Sequence, residues 1–308
     1  MSAIKVENLV VKYGDLRAVS DVSLNISDGE AFGIIGKNGA GKTTLVETIE
    51  GLRNKTSGNI SINGIDPSDN KRRKELYNMI SVQLQSTNYP DKAKVEDLCK
   101  LFSSICDNPI DYKELLEQFD LIEKINKPVS SLSGGQKQKL SILFALISNP
   151  KIIFLDELTT GLDADARREI WKSLKNLKKN GVTIILVSHY IDDIEMVCDR
   201  IGIMKKGKLI NVGTKEELIK TSGLSRRITF TCNDDVSSLL SELDGVNTID
   251  SLGDQYTIIV SKENAAKKCS EILDQQKIKY SDYVVSRPTL EDVFLHLIND
   301  SNGGENNA

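Results

Sequence analysis

"GKNGAGKTT", Gly36 to Thr44, decides how the rest of the chain is read. It matches the spacing of glycine, four residues, then Gly-Lys-Thr, and it follows the short apolar run "EAFGIIG". Immediately after it, "KTTLVETIEGL" has the pattern of a helix ended by Gly51. In a strand–loop–helix of this kind, backbone N–H groups turn inward around phosphate oxygens and the helix N-terminus adds a favourable dipole. The stretch therefore predicts a phosphate cradle made by Gly36, Asn38, Gly39, Ala40 and Gly41. Lys42 is expected to reach the β- and γ-phosphates, Thr43 to offer its hydroxyl to Mg²⁺, and Thr44 to support the phosphates nearby.

The surroundings agree with an α/β fold. "VSDVSLNIS" (Val19 to Ser27) alternates Val22, Leu24 and Ile26 on one face, and "GNISING" (Gly58 to Gly64) alternates likewise and closes on Asn-Gly. From about Ser86 to Asn149 the pattern turns helical, with "VEDLCKLFSSIC" and "YKELLEQFDLIEKI" as amphipathic stretches. Two buried-strand patterns, "KIIFLDE" and "VTIILVSH", then flank the helix "DARREIWKSLKNLKK", an alternation that predicts a parallel sheet. A boundary near "TSGLS" (Thr221 to Ser225) separates residues 1–222 from a small domain over 223–298. Its βαββαβ order followed by a last helix is ferredoxin-like, and Pro288-Thr289 with Asp292 resembles a capping box for that helix. The tail 299–308, "NDSNGGENNA" in context, reads as disordered.

Composition narrows the class. The chain has 308 residues, 39% hydrophobic and 27% charged, enough apolar material to bury a core. A net charge of −4 with both signs interspersed gives no electrostatic reason to bind nucleic acid, and "KRRKE" from Lys71 to Glu75 reads as a solvated helix face. No apolar run approaches the ~18–20 residues that span a bilayer, and the N-terminus lacks a secretory pattern. Five scattered cysteines (Cys99, Cys106, Cys198, Cys232, Cys269) without a CxxC pair argue against a disulfide framework or a zinc site, and for a reducing cytoplasm.

Beyond the phosphate loop, three further stretches carry chemistry. "IIFLDE" is an apolar strand ending in Asp156, a candidate second support for Mg²⁺, and Glu157, placed to orient or deprotonate an attacking water. His189 ends "TIILVSH" and, at a strand carboxyl end, falls beside that acidic pair and the γ-phosphate. His296, on the last helix, has no such context. "LSGGQ" offers the Ser133 hydroxyl, the Gly134 and Gly135 backbone, Gln136 and a helix N-terminus, a second anion site in a chain that already surrounds its phosphates from the other side. A capped helix after a glycine turn would look the same; a second cradle is useful only on a nucleotide held by another subunit.

Phosphate loop, "LSGGQ", "FLDE" and the later histidine, in that order, resemble the nucleotide-binding domain of ATP-binding cassette (ABC) proteins over roughly residues 3 to 220. The resemblance implies a P-loop fold with a mixed-sheet core, an antiparallel β subdomain and a helical subdomain at about 86–149, binding ATP and Mg²⁺. It implies two cassettes head to tail, each ATP between one chain's phosphate loop and the partner's Ser133, Gly134, Gly135 and Gln136. Residue by residue, Tyr13 stands where an aromatic stacks on adenine, and Asp163 in the loop that crosses the dimer interface. Gln85 matches the glutamine that touches Mg²⁺ and the water and senses a membrane partner, with Gln83 the rival register. Leu158 replaces the usual proline after the catalytic acid, Thr160 a smaller residue, and Lys137 and Lys139 stand where arginine is more common.

"RPTLEDVFLHL" (Arg287 to Leu297), with "IDDIEMVCDRIGIMKKGKLI" and "GTKEELIK", is similar to cassette subunits of daunorubicin-type bacterial drug-resistance exporters. That similarity implies an ATPase peripheral on the inner face of the cell membrane, paired with itself or a similar chain under separate multi-span permease subunits, which would contact it near Tyr89 and Pro90. The alternative is a soluble ABC ATPase of translation or DNA maintenance. Those resemble two cassettes in one chain or a cassette split by a coiled coil, and this chain shows neither.

Overall fold

The structure is a computed structural model that describes residues 2–83, 89–90 and 92–299. The chain divides into two compact units, the first ending at Val212 and the second beginning at Gly213. Among the described residues no helix is long and apolar enough to cross a membrane.

In the first unit, β1 (Ser2–Tyr13), β2 (Leu16–Ser27) and β4 (Ser57–Ile62) form an antiparallel sheet in the order β2-β1-β4. One face of each strand is buried and the other exposed, the pattern that alternation in the sequence anticipates. The Asn63-Gly64 turn, with φ of 45° and 80°, brings Ile65 back to pair with Ile62.

The central sheet has the order β5-β6-β7-β3-β8-β9. It comprises β3 (Ala31–Ile35), β5 (Ile80–Gln83), β6 (Ile152–Asp156), β7 (Thr183–Val187), β8 (Arg200–Lys205) and β9 (Lys208–Gly213). From β5 through β8 the neighbours run parallel. Every residue of β3 and β7 is buried, as expected of parallel strands covered on both faces. Parallel direction sets the carboxyl ends of β3, β6 and β7 side by side, where their loops carry the phosphate loop, Asp156–Glu157 and His189.

The helices of this unit are α1 (Lys42–Ile49), α2 (Arg73–Tyr77), α3 (Val95–Ser104), α4 (Tyr112–Gln118), α5 (Gly134–Ile147), α6 (Ala164–Lys179) and α7 (Ile191–Val197). Between α3 and α5 the rings of Phe102 and Phe144 stack at 4.5 Å. "YKELLEQFDLIEKI" is not one helix. Asp120 turns left-handed (φ 57°), Leu121 N–H bonds back to Leu116 O at 2.7 Å, and Asp120 N–H to Glu117 O at 3.1 Å. That C-terminal cap lets Phe119 and Leu121, both fully buried, enter the core from either side of the break.

The second unit contains α8 (Lys215–Thr221), β10 (Arg226–Cys232), α9 (Ser237–Ser241), β11 (Val246–Leu252), β12 (Gln255–Val260), α10 (Ala265–Gln275), β13 (Tyr280–Ser286) and α11 (Leu290–Asn299). Its antiparallel sheet runs β11-β12-β10-β13, the ferredoxin-like order. Phe230, stacked on Tyr256 at 5.3 Å, centres its core with Ile258, Val260 and Leu273. The capping box of α11 is formed: Thr289 N–H donates to Asp292 at 2.7 Å and Asp292 N–H to the Thr289 hydroxyl at 3.2 Å.

Candidate functional site

Gly41 caps α1 with φ 99°, and a Cβ there would lie 2.3 Å from Ala18 O, so the loop can take this path only with glycine. No side chain caps α1, and the first helical hydrogen bond runs from Leu45 N–H to Gly41 O. The N–H groups of Lys42, Thr43 and Thr44 thus precede the helical ladder and stand at its positive end. Gly36 is buried in the same loop, Asn38 and Gly39 are exposed at its tip, and Ala40 N–H closes a turn to Lys37 O at 3.0 Å. Lys42 is buried; its ammonium donates to Gly36 O at 2.8 Å and to Lys37 O at 3.4 Å. Burial lowers its pKa, while Glu157 and Asp156 are near enough to pull it back up.

Across from the loop, Asp156 ends β6 and Glu157 opens the turn that follows it. Burial first, then the neighbouring Glu157 charge, raises the Asp156 pKa to about 6, against the opposing pull of Lys42. Thr43, Asp156, Glu47, Glu50 and Gln83 line one cavity of about 140 Å³. Among the described residues no cluster of three His, Cys, Asp or Glu side chains could hold a metal alone. A hydroxyl and one carboxylate facing one cavity beside a phosphate loop do fit Mg²⁺, an ion that takes few protein ligands and shares itself with substrate phosphates. Gln83 is buried at the end of β5 in this cavity. Gln85 lies outside the described residues.

Glu157 is one of the non-glycine residues held at positive φ, 48°, a conformation that costs on the order of 1 kcal/mol or more and clusters at working sites. Its N–H bonds to Val187 O at 2.9 Å, which ties it to the end of β7. His189 Nδ1 lies 3.2 Å from Glu157 Oε1. The structure therefore brings together Lys42, Thr43, Asp156, Glu157 and His189, drawn from three adjacent strand ends.

The "LSGGQ" stretch forms a capping box on α5: Gln136 N–H donates to the Ser133 hydroxyl at 3.3 Å and Ser133 N–H to Gln136 Oε1 at 3.1 Å. Ser133 and Gly134 are exposed, whereas a Cβ on Gly135 would meet Ala166 at 2.9 Å, so the second glycine allows α5 to pack against α6. Asp163 is the N-cap of α6, accepting from Ala166 N–H at 2.8 Å.

The ABC transporter family profile matches residues 19–160. The daunorubicin resistance ATP-binding protein DrrA3 of Streptomyces coeruleorubidus is 31% identical, over 97% of this chain and 96% of its own. The chain belongs to the ABC transporter family. The linearmycin resistance ATP-binding protein LnrL of Bacillus subtilis is 30% identical over 96% of this chain and 97% of its own. Among solved structures, a dimeric ATP-binding cassette in a post-hydrolysis state with ADP and phosphate superposes with a TM-score of 0.59 at 28% identity, covering 68% of this chain and 98% of that one.

Within this ABC chain, sequence reading alone missed the setting of Tyr13. Tyr13 is 44% exposed, and Arg53 both donates to its hydroxyl at 2.8 Å and sits 5.6 Å from its ring centre. Arg53 also pairs with Glu47 on α1. Nothing in the stretch "GLRNKTSG" signals that contact, because it joins residues 40 positions apart. Glu50 was missed as well. It is 3% exposed and lines the cavity that holds Asp156, and burial, reinforced by Glu47 and Asp156, raises its pKa to about 7.

Proposed function

We propose that the chain is the ATP-hydrolysing subunit of an exporter, working as a head-to-tail pair beneath separate membrane subunits on the inner face of the membrane. One observation carries the reading: Asp156 and Glu157 converge on the loop that holds Lys42, with His189 on Glu157. The loop N–H groups and Lys42 bind the β- and γ-phosphates, and Tyr13 stacks on adenine. Thr43, Asp156 and Gln85 are the residues to hold Mg²⁺, which when bound neutralises phosphate charge. Glu157 orients the attacking water and accepts its proton; His189 holds that carboxylate and contacts the γ-phosphate. Ser133, Gly134, Gly135 and Gln136 face the nucleotide of the second cassette, and Asp163 lies at that interface.

Export is favoured because both resistance proteins align along nearly the whole chain, the C-terminal unit included. A groove of about 600 Å³ between the sheet and the helical region, lined by Leu52, Tyr77, Tyr89, Phe102 and Ile105, offers a seat for a cytoplasmic segment of the membrane subunit. The test is affinity purification of the tagged protein from detergent-solubilised membranes of its host. A stoichiometric multi-span partner is expected. Recovery only from the soluble fraction, with ribosomes or nucleic-acid proteins, would replace this reading by the soluble ATPase.

A further inference from the structure

Asp193, in the first turn of α7, is 2% exposed and accepts from four side chains. The Thr159 hydroxyl donates at 2.5 Å and the Ser188 hydroxyl at 2.9 Å, both to Oδ2; Trp171 Nε1 at 2.9 Å and Arg167 at 3.3 Å donate to Oδ1. Thr159 stands two residues after Glu157 and Ser188 one residue before His189, so a single carboxylate oxygen joins the turns that carry both. Ser188 also accepts from Tyr190 N–H at 3.0 Å, fixing the backbone on the far side of His189, and Arg167 lies 4.9 Å from the centre of the Tyr190 ring. Thr159 and Ser188 are themselves buried.

A buried carboxylate is costly unless its oxygens are satisfied, and an apolar side chain would fill the same space at less expense. Here the oxygens are satisfied by four donors from three separate places in the chain, the turn after β6, α6 and the turn after β7. Two of these places are the turns whose separation sets the Glu157–His189 contact of 3.2 Å. We propose that Asp193 is a positioning residue for hydrolysis, holding the turn after β6 and the turn after β7 at the spacing that keeps Glu157 and His189 in contact. It touches neither nucleotide nor water; it acts through Thr159 and Ser188. The inference rests on the proposed hydrolysis by Glu157 and His189.

The test uses the purified full chain and follows phosphate release against ATP concentration, with nucleotide affinity and melting temperature measured alongside. Thr159→Val keeps the shape of the side chain and removes one tether. It should lower kcat about tenfold, within the range that small misplacements of reacting groups produce, while KM and nucleotide affinity stay within about twofold. Asp193→Ala should lose more, about a hundredfold in kcat, and Asp193→Asn should recover part of it, because the hydroxyls of Thr159 and Ser188 can rotate to meet an amide. Should Asp193→Ala fail to fold, Thr159→Val and Ser188→Ala decide the matter. A folded Thr159→Val enzyme with more than half the wild-type kcat would overturn the inference, as would parallel losses of kcat, affinity and melting temperature. A wild-type chain without turnover overturns the functional reading itself, which separates the two failures.

Discussion

His189 Nδ1 stands 3.2 Å from Glu157 Oε1, across the gap between the ends of two parallel strands. A ring nitrogen at that distance holds the carboxylate in one orientation, and Glu157 already occupies a left-handed backbone conformation, φ 48°, that few residues other than glycine adopt. The acid is thus fixed from both ends, by its backbone and by the histidine. Removing the ring takes away that contact without touching the phosphate loop. His189→Ala is expected to lower kcat about a hundredfold or more, with KM for ATP changed by less than about threefold, as read from phosphate release. An equal loss in both parameters would place the histidine in binding instead.

Ser133 is exposed, and its hydroxyl accepts from Gln136 N–H in its own capping box, so its place in "LSGGQ" makes sense if it serves a partner. Ser133→Arg should abolish hydrolysis by steric and charge conflict at the dimer interface while the isolated monomer still binds ATP, measured by calorimetry. A Ser133→Arg protein that dimerises and turns over ATP normally would contradict the head-to-tail arrangement.

Much of this could be read from residue order, because strand–loop–helix chemistry is local. The phosphate loop, the acids ending "IIFLDE" and the His189 exit need only neighbours along the chain to be recognised. The break in "YKELLEQFDLIEKI" was not legible, since a helical period continues through it and only the burial of both Phe119 and Leu121 requires the turn at Asp120. Asp193 was equally hidden. An acid in the first turn of a short helix reads as a dipole partner, and the donors that identify it come from positions 5 to 34 residues away.

Glu50 offers a pH prediction. In the folded chain its carboxyl is buried, with a pKa of about 7 against an ordinary 4.5. The stability this lends is complete below the unfolded value and is lost as pH rises through about 7, where the charge must form inside the cavity. Glu50→Gln should therefore stabilise the protein at pH 8 by on the order of 2 kcal/mol, and by less at pH 5. Denaturant unfolding without nucleotide or divalent metal measures it. A glutamine variant less stable than wild type at pH 8 would show that the ionised form has a favourable partner.

The central claim is that Glu157 does the chemistry at a nucleotide closed between two chains, and one side-by-side measurement addresses it most directly. Steady-state phosphate release and size-exclusion elution with Mg²⁺ and ATP would be recorded for the wild type and for Glu157→Gln. The account predicts turnover by the wild type, loss of at least about 99% of it in the variant, retained ATP affinity, and a variant that elutes as a dimer only when ATP is present. Near-normal hydrolysis by Glu157→Gln, or a variant that binds ATP tightly and remains monomeric, would contradict it.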